Sequence, residues 1–222
     1  MVTRDLRADL AAHRLLAILR GPDPAALLRS LETLAGAGVR LAEVSLTSTG
    51  AADVISRAAA DLGGELRLGA GTVVTAGDAQ VAADAGASFV VSPGLGDGVE
   101  AALALGLPAM AGALTPTEVQ AGWRLGVSAV KLFPASLGGP GYLRALRDPF
   151  PGVCFVPVGG VRPADAGDWL QAGALAIGIG SPLLGDAVRG GDQAALAARA
   201  RRLVESLSAP AAAGAGRPTA QA

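Results

Sequence analysis

One cationic side chain of this sequence differs in kind from all the others. The chain has 18 lysine and arginine residues, of which only Lys131, in the segment SAVKLFPAS at positions 128–136, is a lysine. Arginine stays protonated in proteins, whereas a lysine that is taken out of water can lose its proton and become an amine nucleophile. Lys131 lies in the middle of an apolar run. The sequence therefore indicates that Lys131 is a candidate for covalent chemistry.

A carboxylate interrupts a second apolar run, because Glu43 stands within the segment LAEVSL. Residues i and i+2 of a strand share a face, so Lys131 should point with Phe133, and Val130 and Leu132 should point the other way. The aliphatic pair suits a helix layer, which leaves Lys131 in the interior, where burial would lower its pKa. We interpret Lys131 and Glu43 as a Schiff-base lysine with a proton-transferring carboxylate. The alternative is an ion pair that only fixes the core, and buried ion pairs are poor stabilisers.

Short apolar runs, each followed by an alanine- and leucine-rich helical stretch, recur about every 20 to 25 residues along the chain. Near-continuous apolar runs are typical of buried parallel strands. The runs predict eight strands, at 15–20, 41–46, 66–72, 88–93, 108–113, 129–134, 154–160 and 175–181. Eight such units predict an α/β fold, a small (β/α)8 TIM barrel. The alternative is a doubly wound open sheet, but no GxGxxG motif follows the first run.

Helix ends are marked by capping residues. The segment TPTE at 115–118 is typical of a capping box with proline at the first helical position, and Asp23-Pro24 and Arg162-Pro163 also predict helix starts. Six glycine-containing segments predict left-handed C-terminal caps: AGAG at 35–38, DLGG at 61–64, DAGA at 84–87, LALG at 103–106, RLGV at 124–127 and QAGA at 171–174.

The composition excludes several classes of protein. The net charge of -1 does not suggest a nucleic-acid or anionic-membrane partner, and no apolar run approaches the length of a membrane span. The charged N-terminus does not resemble a signal peptide. Cys154 is the single cysteine, which fits a reducing cytoplasm and is interpreted as a small buried apolar residue. His13 is the single histidine, interpreted as solvated or helix-terminal, so a multi-histidine metal site is excluded.

The length and the composition of the C-terminus set the predicted domain organisation. The 222 residues suffice for one domain with a sizeable core, built mostly from small and aliphatic residues because aromatic residues make up only 3%. We predict a single barrel domain over residues 1–207. Residues 208–222, rich in Pro, Gly, Ala and Ser, are predicted to be a disordered tail.

Polar and glycine residues follow several of the predicted strands, where a barrel carries its chemistry. The loops after strands 7 and 8 of such barrels often bind phosphate through backbone N–H groups. The candidate residues there are Gly159, Gly160, Gly180 and Ser181, although they could be turn residues only. Arg20, at the end of predicted strand 1, would hold a carboxylate or phosphate unless it is a surface arginine. Further candidates at strand ends are Thr72 and Pro93.

Nine segments of the chain, in order, resemble one enzyme family. They lie between about Leu15 and Leu207 and read AILRG, AEVSLTS, GAGTVV, FVVSPG, TPTE, VKLFPAS, GGPGYLRAL, VPVGGV and GIGS. The chain is similar to the 2-keto-3-deoxy-6-phospho-aldonate (KDPG/KDPGal) aldolases, which are class I pyruvate aldolases. The resemblance implies a (β/α)8 barrel and a homotrimer that needs no cofactor and no metal. It also implies reversible cleavage of a phosphorylated six-carbon keto acid to pyruvate and glyceraldehyde 3-phosphate.

The resemblance also implies roles for the candidate residues. Lys131 would form the Schiff base, and Glu43 would move protons to and from the reacting atoms. A protonated imine accepts the electrons that C–C cleavage leaves on C3, and arginine cannot form one. The remaining roles are the carboxylate end for Arg20 and Thr72, the pyruvyl part for Phe133, further substrate contact for Pro93 and Val158, and the phosphate for Gly159, Gly160, Gly180 and Ser181.

The two substrates that the family implies differ in configuration at C4. Gluconate-type members have VTLRT at strand 2 and PTGG at strand 7, so Thr47 stands here in place of an arginine and Val158 in place of a threonine. The ILRG, VGG and GPGYLRAL segments are closer to the galactonate type, but Ala135 and SLTS fit that type poorly. The sequence favours the galactonate substrate. Gluconate, a dual activity and 4-hydroxy-2-oxoglutarate remain alternatives.

Two other classes of function remain open from the residues. An isomerase or a synthase of the thiamin phosphate type would share the loops after strands 7 and 8. It would not need an imine-forming lysine. A barrel that binds a phosphorylated ligand without catalysis is the second possibility, although such a protein has no need to keep Lys131 and Glu43.

Overall fold

Each of the eight apolar runs contains a strand. The computed structural model describes residues 5–208. All eight strands are parallel and neighbour one another in chain order, except that β8 pairs with β1. Their bounds are β1 Leu15–Leu19, β2 Leu41–Ser45, β3 Arg67–Gly71, β4 Val90–Val91, β5 Ala109–Ala113, β6 Ala129–Leu132, β7 Phe155–Pro157 and β8 Ile177–Ile179.

A helix follows every strand and covers the outside of the sheet. In chain order the helices are α1 Leu6–His13, α2 Pro24–Gly36, α3 Ala51–Leu62, α4 Ala76–Asp84, α5 Asp97–Ala104, α6 Pro116–Leu125, α7 Gly139–Arg147, α8 Ala166–Gln171, α9 Ser181–Leu184 and α10 Gln193–Ser208. Short 3₁₀ turns lie at Ala135–Leu137, Pro163–Asp165 and Ala187–Arg189. Ser208 thus ends a helix, and the rest of the predicted tail lies outside the described residues.

The sheet closes on itself at β7 and β8. A parallel bridge joins Val158, just after β7, to Gly178 in β8. The eight strands therefore form a nearly closed barrel with helices between them. The prediction of a TIM barrel is confirmed, and the doubly wound open sheet is wrong. No helix within residues 5–208 is both long and apolar enough to cross a membrane.

Two apolar clusters follow from the alternation of side chains along the strands. The larger cluster lies between strands and helices and contains Val130 and Leu132, as the face assignment of β6 predicted. The smaller cluster fills the barrel interior, with Phe89 and Met110 among its members. Leu6 and Leu10 of α1 join it, so that helix closes the N-terminal end of the barrel.

Most of the predicted helix ends are confirmed. Thr115 and Glu118 form the capping box of α6, and Asp23 caps α2. Arg162 begins a 3₁₀ turn and not an α-helix. Five of the six glycine segments contain a left-handed residue: Gly38, Gly86, Gly106, Gly126 and Gly173. The prediction for DLGG is wrong, because Gly63 has a φ of -59° and continues the right-handed helix.

The single histidine and the single cysteine lie at the N-terminal end of the barrel. His13 is exposed in the last turn of α1, as predicted. Cys154 is only partly buried, so its assignment to the apolar interior is incomplete. Its Sγ accepts hydrogen bonds from the Arg7 side chain, at 3.3 Å from Nε and 3.0 Å from Nη2. The Arg7 guanidinium of α1 reaches Cys154, just before β7, because α1 packs across the barrel end.

Replacing Gly69 by alanine should destabilise the barrel. A Cβ at this buried position would lie 2.6 Å from Cδ2 of Phe89, whose ring fills the interior layer. Overpacking of this kind costs about 1–3 kcal/mol, measured as the loss of unfolding free energy in urea. Gly36→Ala is the control, because a Cβ there meets nothing within 4 Å, and it should be neutral or slightly stabilising. An unchanged stability of Gly69→Ala would contradict this account of the interior.

Candidate active site

Two strands that are not neighbours in the sheet, β2 and β6, bring one glutamate and one lysine into the barrel. Lys131 lies on β6 and is 6% exposed, and Glu43 lies on β2 and is 2% exposed. Lys131 lies in register with Gly112 of β5 and Val156 of β7. Since alternate residues of each strand point inward, both side chains share the interior with the smaller apolar cluster.

Glycines on neighbouring strands make room for these two groups. A Cβ at Gly71 would lie 2.6 Å from Oε1 of Glu43, so only glycine leaves space for the carboxylate. At Gly112, next to Lys131, a Cβ would collide with the carbonyl of Pro93. The chain after β4 therefore passes close to the layer of inward-facing residues that contains Gly112 and Lys131. Pro93 lies beside the site as a result.

Burial moves the two pKa values in opposite directions. Desolvation raises the pKa of the Glu43 carboxyl, and the charges of Lys131 and Arg20 only partly oppose this. Desolvation lowers the pKa of Lys131, Glu43 opposes the change, and Arg20 adds to it. A protonated carboxyl and a free amine, the forms needed for proton donation and for nucleophilic attack, thus become accessible nearer neutral pH.

The lysine and the glutamate do not form a closed ion pair. No ion pair within 4.0 Å joins Lys131 to a carboxylate among residues 5–208. Within the same residues, Oε2 of Glu43 is buried without a hydrogen-bond partner. A pair that served only to fix the core would satisfy its charges by contact. The geometry therefore favours two groups that are held ready for a third molecule.

The Phe133 ring lies between Lys131 and the loop after β7. Nζ of Lys131 lies 4.8 Å from the centroid of the Phe133 ring, in a cation–π arrangement. The same ring lies against Gly159, where a Cβ would be 3.1 Å from it, and Gly159 has a φ of +87°. Phe133 thus shares the inward face with Lys131, as predicted, and forms a wall between the lysine and the Gly159-Gly160 loop.

A chain of hydroxyl groups lies at the C-terminal ends of β2 and β3. Oγ of Ser45 lies 2.7 Å from Oγ1 of Thr72 and 2.8 Å from Oγ1 of Thr47. Nη2 of Arg20 donates a hydrogen bond to Oγ1 of Thr72 at 3.3 Å. Thr72 has a φ of +61°, a strained conformation for a β-branched residue that is typical of functional sites. Sequence reasoning missed Ser45, although its position two residues after Glu43 places it on the same face.

A cavity of about 450 Å³ opens at the C-terminal ends of β7, β8 and β1. Six of the predicted residues line this cavity: Arg20, Val158, Gly159, Gly160, Gly180 and Ser181. Apolar lining residues that the sequence did not indicate include Ile18, Val161, Leu184 and Val188. Among residues 5–208, Arg20 is the only ionisable residue that lines this cavity.

The predicted residues therefore fall into two adjoining groups. The lysine side comprises Glu43, Thr72, Pro93, Lys131 and Phe133, which do not line the cavity itself. The cavity side comprises the six residues named above. Arg20 joins the two, because it lines the cavity and also donates to Thr72. One molecule that reaches from the cavity to Lys131 would contact both groups.

Comparisons with known proteins agree with this arrangement. A family model described as "Aldolase: KDPG and KHG aldolase" matches residues 6–198. A 2-dehydro-3-deoxy-phosphogluconate aldolase of Treponema pallidum is 41% identical over 145 residues, which are 64% of this chain and 67% of the relative. A 2-dehydro-3-deoxy-6-phosphogalactonate aldolase of Escherichia coli is 32% identical over 171 residues, or 76% and 83% of the two chains.

Solved structures of similar fold include enzymes of both types. A structure described as native KDPGal has a TM-score of 0.82 at 30% identity and covers 87% of this chain and 93% of its own. A KDPG aldolase from Legionella pneumophila, with pyruvate captured as a covalent carbinolamine intermediate, has a TM-score of 0.82 at 26% identity, covering 89% and 97%. The barrel with its buried lysine and glutamate thus belongs to a lyase of the aldolase class. The chain belongs to the KDPG and KHG aldolase family.

Replacing Glu43 by glutamine should make Lys131 titrate at a lower pH. The negative carboxylate raises the pKa of Lys131 against the effect of burial, so its removal leaves desolvation and Arg20, which both lower that pKa. Carbamylation by cyanate, a small reagent for free amines, reports this directly because Lys131 is the only lysine. The midpoint of its pH dependence, followed by peptide mass spectrometry, should move down. Glu65→Gln, at the far end of the barrel, should leave it in place, and an upward shift in Glu43→Gln would contradict the electrostatic account.

Proposed function

We propose that this chain is a class I aldolase that cleaves a 2-keto-3-deoxy-6-phospho-aldonate into pyruvate and glyceraldehyde 3-phosphate. The observation that supports this most directly is the only lysine of the chain, Lys131, buried in the barrel beside an unpaired Glu43 carboxyl oxygen. Membership of an aldolase family supports the reaction class. The Legionella relative, described as holding pyruvate in a carbinolamine, supports the covalent route.

The first step of the proposed mechanism is imine formation. The neutral amine of Lys131 attacks the C2 ketone, and its lowered pKa increases the amount of that amine. Glu43, whose raised pKa keeps a proton available, protonates the carbinolamine hydroxyl, which leaves as water. The product is a protonated imine, and Glu43 is left as a carboxylate.

The second step is cleavage of the C3–C4 bond. The Glu43 carboxylate takes the proton of the C4 hydroxyl, C4 becomes the aldehyde carbon, and the bonding electrons move through C3 into the iminium nitrogen. Glyceraldehyde 3-phosphate leaves and an enamine remains on Lys131. Protonation of C3 and addition of water to the imine then release pyruvate and restore the amine. Every proton in the cycle can pass through Glu43.

The two groups of site residues suit the two ends of this substrate. In the proposal, Arg20 and Thr72 bind the carboxylate of the pyruvyl half, while Pro93 and Phe133 pack against that half. Val158 lies by C4. The glycine-rich cavity side takes the phosphate on backbone N–H groups and the Ser181 hydroxyl, with contacts from Gly159, Gly160 and Gly180. The length of the substrate thus spans from the cavity to Lys131.

The galactonate epimer is the substrate that we propose. Arg20 directly follows β1 and donates a hydrogen bond to Thr72, whereas position 47, after β2, is a threonine and not an arginine. In the proposal, Arg20 is the cation that binds the carboxylate, and its position in an ILRG segment supports the galactonate type. The gluconate epimer is the alternative, and the 41% identical Treponema relative favours it. An Escherichia coli relative named KHG/KDPG aldolase is 37% identical over 177 residues. Because KHG denotes 4-hydroxy-2-oxoglutarate, this relative supports that acid as a further substrate.

We also propose a homotrimer that acts in the cytoplasm. Large apolar side chains on the helix side of the barrel are candidates for subunit contacts, since Trp123 is 53% exposed and Leu105 is 45% exposed. A single cysteine suits a reducing compartment.

Lys131→Arg should keep the fold and abolish cleavage, because arginine keeps the charge but cannot form an imine. We expect activity to fall by at least about a thousandfold, with an unchanged circular dichroism spectrum. Borohydride treatment with pyruvate should add a mass to the Lys131 peptide of the wild type and to no peptide of the variant. Arg202→Lys, which adds an exposed lysine, is the control and should still be trapped at Lys131 alone. Wild-type turnover by Lys131→Arg would refute the imine mechanism.

Val158→Thr should shift preference toward the gluconate epimer. Val158 is 5% exposed and borders the cavity, where a hydroxyl could hydrogen-bond the C4 hydroxyl in one configuration only. One such bond changes the ratio of kcat/KM for the two epimers by about tenfold. Val153→Thr makes the same exchange before β7, at the other end of the barrel, and should leave the ratio unchanged. An unaltered ratio in Val158→Thr would remove this residue from the specificity argument.

A further inference from the structure

The wall of the cavity formed by α9 has little structure of its own. The helix has a single turn, Ser181–Leu184, and it connects two lining residues, Gly180 and Gly185. A helix this short is unstable in isolation, because few of its backbone groups are paired within it. Its internal bonds include Leu184 N to Gly180 O at 3.1 Å and Gly185 N to Ser181 O at 2.9 Å. Something outside α9 must therefore hold it in place.

Arg199 of α10 donates hydrogen bonds to carbonyl groups at the end of α9. Its Nε donates to the carbonyl of Leu183 at 2.7 Å, and its Nη2 donates to the carbonyl of Leu184 at 2.9 Å. These are two of the carbonyls that a one-turn helix leaves unpaired at its C-terminus. A guanidinium presents its N–H groups in a rigid fork, so one side chain fixes two consecutive peptide groups at once.

The turn after α9 is matched to this guanidinium. Gly185 has a φ of +59°, and a Cβ there would lie 2.7 Å from Nη2 of Arg199. Glycine is favoured at this position for its backbone conformation, and a Cβ there would displace the guanidinium from its present position. The fit at Gly185 and the two hydrogen bonds show that α9 and Arg199 form one unit.

The Arg199 side chain forms no ion pair with a carboxylate of residues 5–208. None of the ion pairs among residues 5–208 involves it, so its side-chain hydrogen bonds go to the two carbonyls. A cation at a helix C-terminus also interacts favourably with the carbonyl dipoles there. Arg202, one turn further along α10, borders the same surface depression as Arg199 but is exposed. It offers a matched comparison in the same helix.

We propose that Arg199 is a positioning residue for the phosphate end of the substrate. It holds the carbonyls of Leu183 and Leu184 and thereby keeps residues 180–185 in the shape that forms one wall of the cavity. This inference rests on the proposed function, because it takes the cavity to be the phosphate site. Arg199 does not line the cavity, so it acts through α9 and not by contact.

The test compares a phosphorylated and an unphosphorylated substrate that share the pyruvyl half. Arg199→Met keeps an unbranched apolar stem and removes the guanidinium with its donors. We expect KM for the phosphorylated keto acid to rise about tenfold or more, while kcat for both substrates and KM for 4-hydroxy-2-oxoglutarate change less than about twofold. Arg199→Lys keeps the charge but not the fork and should lie between. Arg202→Met should match the wild type.

Hydrogen exchange tests the positioning itself, without any substrate. The amides of residues 183–185 should exchange faster in Arg199→Met than in Arg202→Met. Unchanged exchange would overturn the proposal, and so would an equal rise in KM for both substrates. If Arg199→Met does not fold, Arg199→Lys is measured in the same two ways. Its lost second hydrogen bond should still raise exchange and the phosphorylated KM, and its failure to do so would likewise overturn the proposal.

The failure of the proposed function would give a different result. A wild-type protein that traps no pyruvate on Lys131 and cleaves neither acid is not this aldolase. In that case inorganic phosphate serves as the probe, and its binding is followed by ³¹P NMR. Weaker phosphate binding in Arg199→Met than in Arg202→Met would then support the role of Arg199 at the cavity, and equal binding would overturn it.

Discussion

The loss of water around Lys131 and Glu43 is the interaction on which the site depends. Burial alone would disfavour both charges, and it moves the two pKa values in opposite directions. Direct contact would cancel most of this effect, but the lysine and the carboxylate do not lie within ion-pair distance in the described part of the chain. The barrel holds a buried carboxyl oxygen without a hydrogen-bond partner among residues 5–208, which costs some stability. The surrounding apolar clusters offset that cost.

The barrel can contain these groups because small residues open its interior at chosen places. Gly71 makes room for the Glu43 carboxylate, and Gly112 lets the chain at Pro93 pass beside Lys131. Elsewhere Phe89 fills the space that Gly69 leaves. Protein interiors are packed almost as densely as crystals, so a polar site in a barrel needs such local deletions of side-chain volume. The positions of these glycines are thus as specific as those of the reactive residues.

The site divides the work of recognition between two groups of strands. The lysine side is built on β2, β3, β4 and β6, and the cavity side on β7, β8 and β1. Arg20 joins the two, since it borders the cavity and donates to Thr72. In the proposed function, the chemistry stays with the lysine side, while the cavity side and its loops adjust to the rest of the substrate. Relatives that act on different epimers are consistent with that division.

The sequence by itself determined the number of strands, the fold class and the two inward-facing charged residues, because alternation and apolar runs are local properties. It also showed the family. Only the tertiary structure decided the closure at Val158 and Gly178, the hydroxyl chain through Ser45, and the support of α9 by Arg199. These contacts join residues that are far apart in sequence, and no local pattern encodes them. For the same reason Gly63 misled the helix-end prediction, since its right-handed φ depends on its surroundings.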